Sequence, residues 1–293
     1  MPKAKIGVIG GTGLYDIEGM TDIEEVDITT PFGKPSEAIT IGKLEGAGIA
    51  FLPRHGKGHH ILPAEIPVRA NIYALKSLGV EWLIATNSAG SFKPEIKPGD
   101  LVIPDQLIDR TRSRVNSFFG EGIVVHIPFA DPFCPVLSQI LYQAAQEVGA
   151  SVHQGGTYVA MEGPAFSTRA ESRLYRSWGA DIIGMTALPE AKLAREAEIC
   201  YATIAHACDY DSWQEKSQPV TVDTILNILR QNVDTVKKII KLVVSRIPEK
   251  RDCGCATALK TAIITAPELI PPEQKERLNL LIGKYLTKGV KKA

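Results

Sequence analysis

The 293-residue sequence carries no excess of either charge, no long apolar run and few cysteines. Its 33 basic and 33 acidic residues cancel, which removes the basis for broad electrostatic binding to nucleic acid or to an anionic membrane. No apolar stretch reaches the roughly 18 uninterrupted residues of a membrane helix. The first residues run straight into a strand pattern without the features of a cleavable leader, so the expected location is the cytoplasm. Five cysteines (Cys134, Cys200, Cys208, Cys253 and Cys255) are too few and too scattered for a small secreted disulfide scaffold. Internal repeats, low-complexity segments and sharp shifts in composition are also missing. The expectation is one domain over residues 1–293, with a C-terminal helical extension from about residue 248. What is present is 44% apolar residues at a mean hydropathy of zero, ample material for a core.

Cys134, Cys200 and Cys208 read as small core residues. Cys253-Gly254-Cys255 is more unusual. Two thiols one residue apart suit a strained disulfide or two ligands of a metal site whose other ligands lie far away in the sequence. Disulfides inside cells are commonest in hyperthermophiles, so the pair also hints at a thermophile.

Short apolar runs at residues 4–9, 49–52, 82–85, 101–103, 157–161, 182–185 and 201–205 read as strands. Helical patterns at 67–78, 135–148, 169–178 and 187–197 fall between several of them. A longer one runs from about 222 to 247 with a single apolar face, and another follows at 271–285. This alternation predicts an α/β fold with a mixed central sheet covered by helices on both faces.

Polar motifs sit at the ends of these strands. Gly10-Gly11-Thr12-Gly13 suits an anion cradle or a plain tight turn; it has neither dinucleotide-binding nor Walker spacing. Arg54-His55-Gly56-Lys57-Gly58-His59-His60 gathers four or five potential cations in seven residues. A guanidinium fork and an imidazole there suit phosphate, while His55, His59 and His60 leave a metal site or a solvated loop open. Thr86-Asn87-Ser88-Ala89-Gly90-Ser91 is expected as a loop of small donors beyond the strand at 82–85. A second group differs in character: Met161-Glu162-Gly163-Pro164-Ala165-Phe166-Ser167, Gly184-Met185-Thr186 and Asp209-Tyr210-Asp211. Phe166 and Met185 suit the walls of a flat organic ligand, and Asp209 and Asp211 suit its heteroatoms or a solvated turn.

Taken in order, residues 9–14, 53–56, 86–91, 97–100, 126–128, 161–164, 169–171, 184–186 and 209–211 resemble the trimeric purine nucleoside phosphorylase family, in particular its methylthioadenosine-cleaving branch. The resemblance spans residues 4 to about 245. It implies a twisted nucleoside-phosphorylase-like sheet and reversible phosphorolysis of methylthioadenosine to adenine and methylthioribose 1-phosphate, in purine and methionine salvage. Phosphate is the co-substrate, and no metal or organic cofactor is expected. The assembly implied is a homotrimer or a dimer of trimers. Thr12, Arg54, His55, Asn87, Ser88 and Thr186 match phosphate positions. Asn87 and Ser88 depart from the Thr and Ala of the animal branch. Met185 matches a ribose contact, Phe166 and Ser167 the base-pocket wall, and Asp209 and Asp211 the purine pair, with Tyr210 between them. Val222 and Ile225, with His126 from a neighbouring subunit, match the pocket for the 5′ substituent.

The chemistry agrees with this assignment. Glycosidic cleavage builds positive charge on the sugar and negative charge on the leaving purine. Phosphate stabilises the first, and a neutral Asp209 carboxyl protonating N7 relieves the second. Alternatives are a 6-oxopurine phosphorylase of the same family, a metal-dependent hydrolase using the histidines with Asp209 and Asp211, and a non-catalytic nucleoside-binding module.

Overall fold

The computed structural model describes residues 3–10, 17–214 and 222–286. Its strands are β1 (Ile6–Gly10), β2 (Thr21–Val26), β3 (Ile39–Leu44), β4 (Ala47–Pro53), β5 (Trp82–Ser91), β6 (Leu101–Ile103), β7 (Gln106–Arg110), β8 (Val152–Gln154), β9 (Thr157–Met161), β10 (Ile182–Gly184) and β11 (Cys200–Asp209). Its α-helices are α1 (Val68–Ser77), α2 (Pro135–Glu147), α3 (Arg169–Ser177), α4 (Glu190–Glu196), α5 (Val222–Arg246), α6 (Pro272–Arg277) and α7 (Asn279–Leu286). The strands join in one mixed sheet ordered β2-β3-β4-β1-β5-β10-β9-β7, with β11 branching from β5 towards β6 and β8.

Alternation along the central strands explains their apolar runs. Ile49 and Phe51 of β4, Ile6 and Val8 of β1, Trp82 and Ile84 of β5, and Ala202 and Ile204 of β11 enter one core cluster. Their neighbours Ala50, Leu52, Ile9, Leu83, Ala85, Tyr201 and Ala205 enter another. Successive side chains of a strand point to opposite faces, so these strands must be apolar throughout. The face of the first cluster is covered by Leu137 and Leu141 of α2 and Val236, Ile239, Ile240 and Val243 of α5. Ile72 and Leu75 of α1, Leu193 of α4 and Ile282 of α7 cover the other.

Three expectations need adjustment. The segment 86–91 is not a loop: β5 continues to Ser91, because β11 pairs with it in parallel as far as Gly90 and β10 takes Ser91 and Gly90 on the other side. The pattern at 271–285 forms α6 and α7, interrupted at Leu278, whose side chain is buried in the core. Cys134 and Cys200 are core residues, but not isolated ones, since both sulfurs lie against that of Cys253.

Candidate active site

β1, β4, β5 and β11 run parallel, so their carboxyl ends open on one edge of the sheet, the usual place for a ligand crevice in an α/β fold. Arg54 follows β4 directly and is pinned to the end of β1, its backbone N–H donating to the Gly10 carbonyl at 2.9 Å.

The Arg54 guanidinium is not an open fork. Buried to 2% exposure, it donates Nε–H and Nη2–H to the two carboxylate oxygens of Glu190 at 2.8 and 2.9 Å. Further bonds run from Nη2 to the Ile9 carbonyl (3.3 Å) and from Nη1 to the Thr86 carbonyl (3.0 Å). These four bonds leave one Nη1 hydrogen of the five guanidinium donors for anything else. Burial pulls the Arg54 pKa down, but Glu190 more than offsets it and the net shift is upward. Glu190 itself, in the first turn of α4, also accepts from the Tyr201 hydroxyl at 2.9 Å.

His55, unlike Arg54, is not a cation. Its Nδ1 lies 2.8 Å from the Ile61 carbonyl, and its ring stacks on His59 at 4.3 Å. Burial, with Arg54, His59 and Arg114 close by, pushes its pKa down to about 4. A neutral imidazole facing a carbonyl must carry its proton on Nδ1, which leaves Nε2 as an acceptor. The same loop turns tightly at Gly56 (φ 72°), where a side chain would strike the His60 ring.

Inside β5, the Asn87 amide donates to the Thr186 hydroxyl and its carbonyl accepts from Thr203, so Asn87, Thr186 and Thr203 form a connected polar set. Ser88 is exposed and points to the opposite face of β5 from Asn87. The structure therefore brings Arg54, His55, Asn87 and Thr186 to the same edge of the sheet. Thr12 lies outside the described residues.

Three residues beyond Asn87, about 10 Å along the strand, Gly90 lies beside the acidic pair. A Cβ there would sit 2.9 Å from Asp209 Oδ1 and 3.1 Å from the Asp211 Cβ, so glycine is what admits the close approach. Asp211 adopts a left-handed φ of 28°, and its backbone N–H donates to Asp209 Oδ1 at 2.6 Å. Burial, reinforced by the Asp211 charge, raises the Asp209 carboxyl to about pKa 6 against the pull of that bond. Burial also raises Asp211, while the Ser172 and Ser167 hydroxyls oppose the shift. A carboxyl at about pKa 6, as on Asp209, remains partly protonated near neutral pH.

Around this pair, the Ser167 carbonyl accepts from the Ser212 hydroxyl at 2.9 Å, and Phe166 stays 41% exposed. The Tyr210 ring packs edge-on against Trp213, whose indole N–H donates to the Ser91 carbonyl. Met185 fits against Gly163, where a side chain would collide with its sulfur. Arg114, absent from the sequence reading, ties these loops together. Its guanidinium donates to the carbonyls of Met161, Glu162, Met185 and Leu188 and pairs with the Glu162 carboxylate at 3.5 Å.

His126 is exposed and takes no part in this cluster; its backbone N–H donates to the Ala262 carbonyl in the C-terminal segment. Val222 and Ile225 lie on α5, and their side chains fall outside the described residues. Among the described residues, one group of three or more metal-ligating side chains converges. It consists of cysteines and contains neither the histidines nor Asp209 and Asp211.

Residues 5–245 match the family model of the phosphorylase superfamily. The chain is 58% identical over 282 residues to an S-methyl-5′-thioadenosine phosphorylase of Geobacter sulfurreducens, covering 96% of this chain and 99% of that one. Its fold superposes on a methylthioadenosine phosphorylase from an antarctic soil metagenomic library with a TM-score of 0.92 at 47% identity, over 96% and 99% of the two chains. A Schistosoma mansoni methylthioadenosine phosphorylase in complex with adenine matches with a TM-score of 0.83 at 39% identity, over 88% of this chain and 96% of that one.

Proposed function

The chain belongs to the phosphorylase superfamily, and from that membership we infer that it catalyses the reversible phosphorolysis of S-methyl-5′-thioadenosine to adenine and 5-methylthioribose 1-phosphate. It is a pentosyltransferase acting in purine and methionine salvage. The observation that carries the adenine assignment is the Asp209–Asp211 pair set against Gly90 at one end of β5, with the Asp209 carboxyl raised by burial to about pKa 6.

Adenine presents an N7 acceptor beside a 6-amino donor, whereas a 6-oxopurine presents two acceptors. A protonated carboxyl has one donor and one acceptor and matches the first edge. In this reading Asp209 protonates N7 as the glycosidic bond breaks, and Asp211 accepts from the 6-amino side. Phe166, Ser167 and Tyr210 bound the base, and Met185 contacts the ribose. Val222, Ile225 and a neighbouring subunit's His126 close the pocket on the methylthio group. Asn87, Thr186, Thr12 and the remaining Nη1 hydrogen of Arg54 hold the phosphate, whereas Ser88, on the opposite face of β5, has no part in it.

His55 has a distinct part. Monohydrogen phosphate carries one hydroxyl, and a neutral His55 Nε2 accepts from it, orienting the unprotonated oxygens towards the anomeric carbon. Inorganic phosphate is a co-substrate, and the residues supply the proton and the binding without an organic cofactor.

The assembly we propose is a homotrimer or a dimer of trimers. Support comes from Val124 and Ile264, exposed by 49% and 64%, which are hydrogen-bonded to each other beside His126 and leave an apolar patch for a neighbour to cover. Residues from about 248 extend beyond the family match and pack Leu278 and Ile282 into the core of the single domain. Among the described residues, no helix is long and apolar enough to cross a membrane, and the cytoplasm is the proposed place of action.

A substrate panel tests the base assignment. In saturating phosphate, kcat/KM for methylthioadenosine is expected to exceed that for methylthioinosine by about 100-fold or more, the size of a mispaired buried polar group. Equal values for the two would overturn it.

A further inference from the structure

Cys134, Cys200, Cys253 and Cys255 reach one point from three parts of the chain. Cys134 caps the start of α2, and its backbone N–H donates to the Tyr201 carbonyl at 2.7 Å. Cys200 opens β11, in register with Trp82 at the start of β5. Cys253 and Cys255 lie at the start of a 3₁₀ turn over Gly254–Thr257 in the C-terminal segment. The four sulfurs all lie within 4.8 Å of one another. Cys134, Cys200 and Cys255 are at most 3% exposed, and Cys253 is half-buried.

Two features favour a shared ion over paired sulfurs. The Cys253 sulfur stands 3.7 Å from that of Cys134 and 3.3 Å from that of Cys200, so it has no exclusive partner. A tetrahedral thiolate shell with metal–sulfur bonds of about 2.3 Å has sulfur–sulfur edges of about 3.8 Å, close to these separations. Four soft thiolates at tetrahedral spacing select zinc or a chemically similar ion.

We propose that Cys134, Cys200, Cys253 and Cys255 form a closed structural Zn²⁺ site that fastens the C-terminal segment to the sheet. Binding replaces four S–H protons by four Zn–S bonds; the protons go to solvent, and no oxidant or reductant is involved. With all four positions filled by protein, the ion holds structure and has no open place for substrate. The segment it fastens includes Ala262, which receives the backbone bond of His126, and Ile263, which bridges Val125. Cys208 lies outside the site.

The test uses full-length protein prepared without chelator or reductant. Elemental analysis is expected to give one zinc per chain, and thiol titration in denaturant five thiols per chain. Cobalt exchanged into the protein is expected to show sulfur-to-metal charge transfer and tetrahedral ligand-field bands. Removing the ion should lower Tm by about 10 °C or more. Cys253→Ser should lose the zinc, whereas Cys208→Ser should keep it. Metal-free protein with one titratable thiol, meaning two disulfides, would overturn the proposal. So would metal-free protein with five thiols, or equal zinc loss in both variants.

Discussion

Replacing Asp209 by Asn separates recognition of the base from transfer of a proton to it. The two side chains are nearly isosteric, and the amide oxygen can still accept the Asp211 N–H that now bonds Asp209 Oδ1 at 2.6 Å. An amide can hydrogen-bond N7 but cannot protonate it, so the loss falls on the chemical step. General-acid catalysis contributes about 10²- to 10⁴-fold, and kcat for methylthioadenosine should fall by that amount. The amide's two N–H groups can meet both acceptors of a 6-oxopurine, so kcat/KM for methylthioinosine should rise by roughly 5- to 150-fold, the equivalent of one rescued buried polar pair. The pH profile carries a separate signature. Asp209 is raised to about pKa 6 by burial and by Asp211, and the active form is the protonated one. Wild-type kcat/KM should therefore hold below about pH 6 and fall roughly tenfold per pH unit above it. The ionisation of phosphate is common to both proteins, so the ratio of wild-type to variant profiles isolates Asp209. Stopped assays of base release from pH 5 to 8.5 supply all the numbers. Equal or faster adenine release by the variant, or a ratio independent of pH, would refute the reasoning.

Other outcomes follow from the same geometry. Glu190→Gln strips the charge from a buried partner of Arg54, and leaving that guanidinium uncompensated costs about 3–5 kcal/mol. Urea denaturation should show a lower midpoint at unchanged slope, and a loss below about 1 kcal/mol would contradict the pairing. Gly90→Ala puts a methyl 2.9 Å from Asp209 Oδ1; methylthioadenosine kcat/KM should drop at least tenfold, and an unchanged value would show that the acidic pair does not need this approach. His55, lowered to about pKa 4 by burial, should stay neutral with its proton on Nδ1 from pH 5 to 8 in nitrogen-15 NMR; an imidazolium signal at pH 6.5 would contradict its place as an acceptor.

The central strands could be read from sequence because both faces are buried, which makes residues 49–52, 82–85 and 201–205 apolar without interruption. β2 could not: Thr21–Val26 lies at the sheet edge with most of its residues exposed, and its polar composition resembles a loop. The polar Asn87 and Ser88 hide the far half of β5 in the sequence. Its continuation depends on pairing with β11, a partner more than a hundred residues away. Arg54 and His55 lie at the expected edge, but Arg54 spends its charge on Glu190, 136 residues on, and burial keeps His55 neutral against the bond to the Ile61 carbonyl. Arg114 gave no signal, since a lone arginine in a polar stretch shows nothing of the four carbonyls it gathers. The cysteine cluster was hidden for the same reason: no local spacing links Cys134 and Cys200 to Cys253.

The phosphorolysis itself is tested most directly by stoichiometry. With methylthioadenosine and limiting inorganic phosphate, phosphorus-31 NMR and adenine absorbance can be followed in one sample. The account predicts one phosphate consumed and one sugar 1-phosphate formed for each adenine released, with release stopping when phosphate is exhausted. Adenine that continues to appear after the phosphate is gone, with free methylthioribose as the other product, would contradict it.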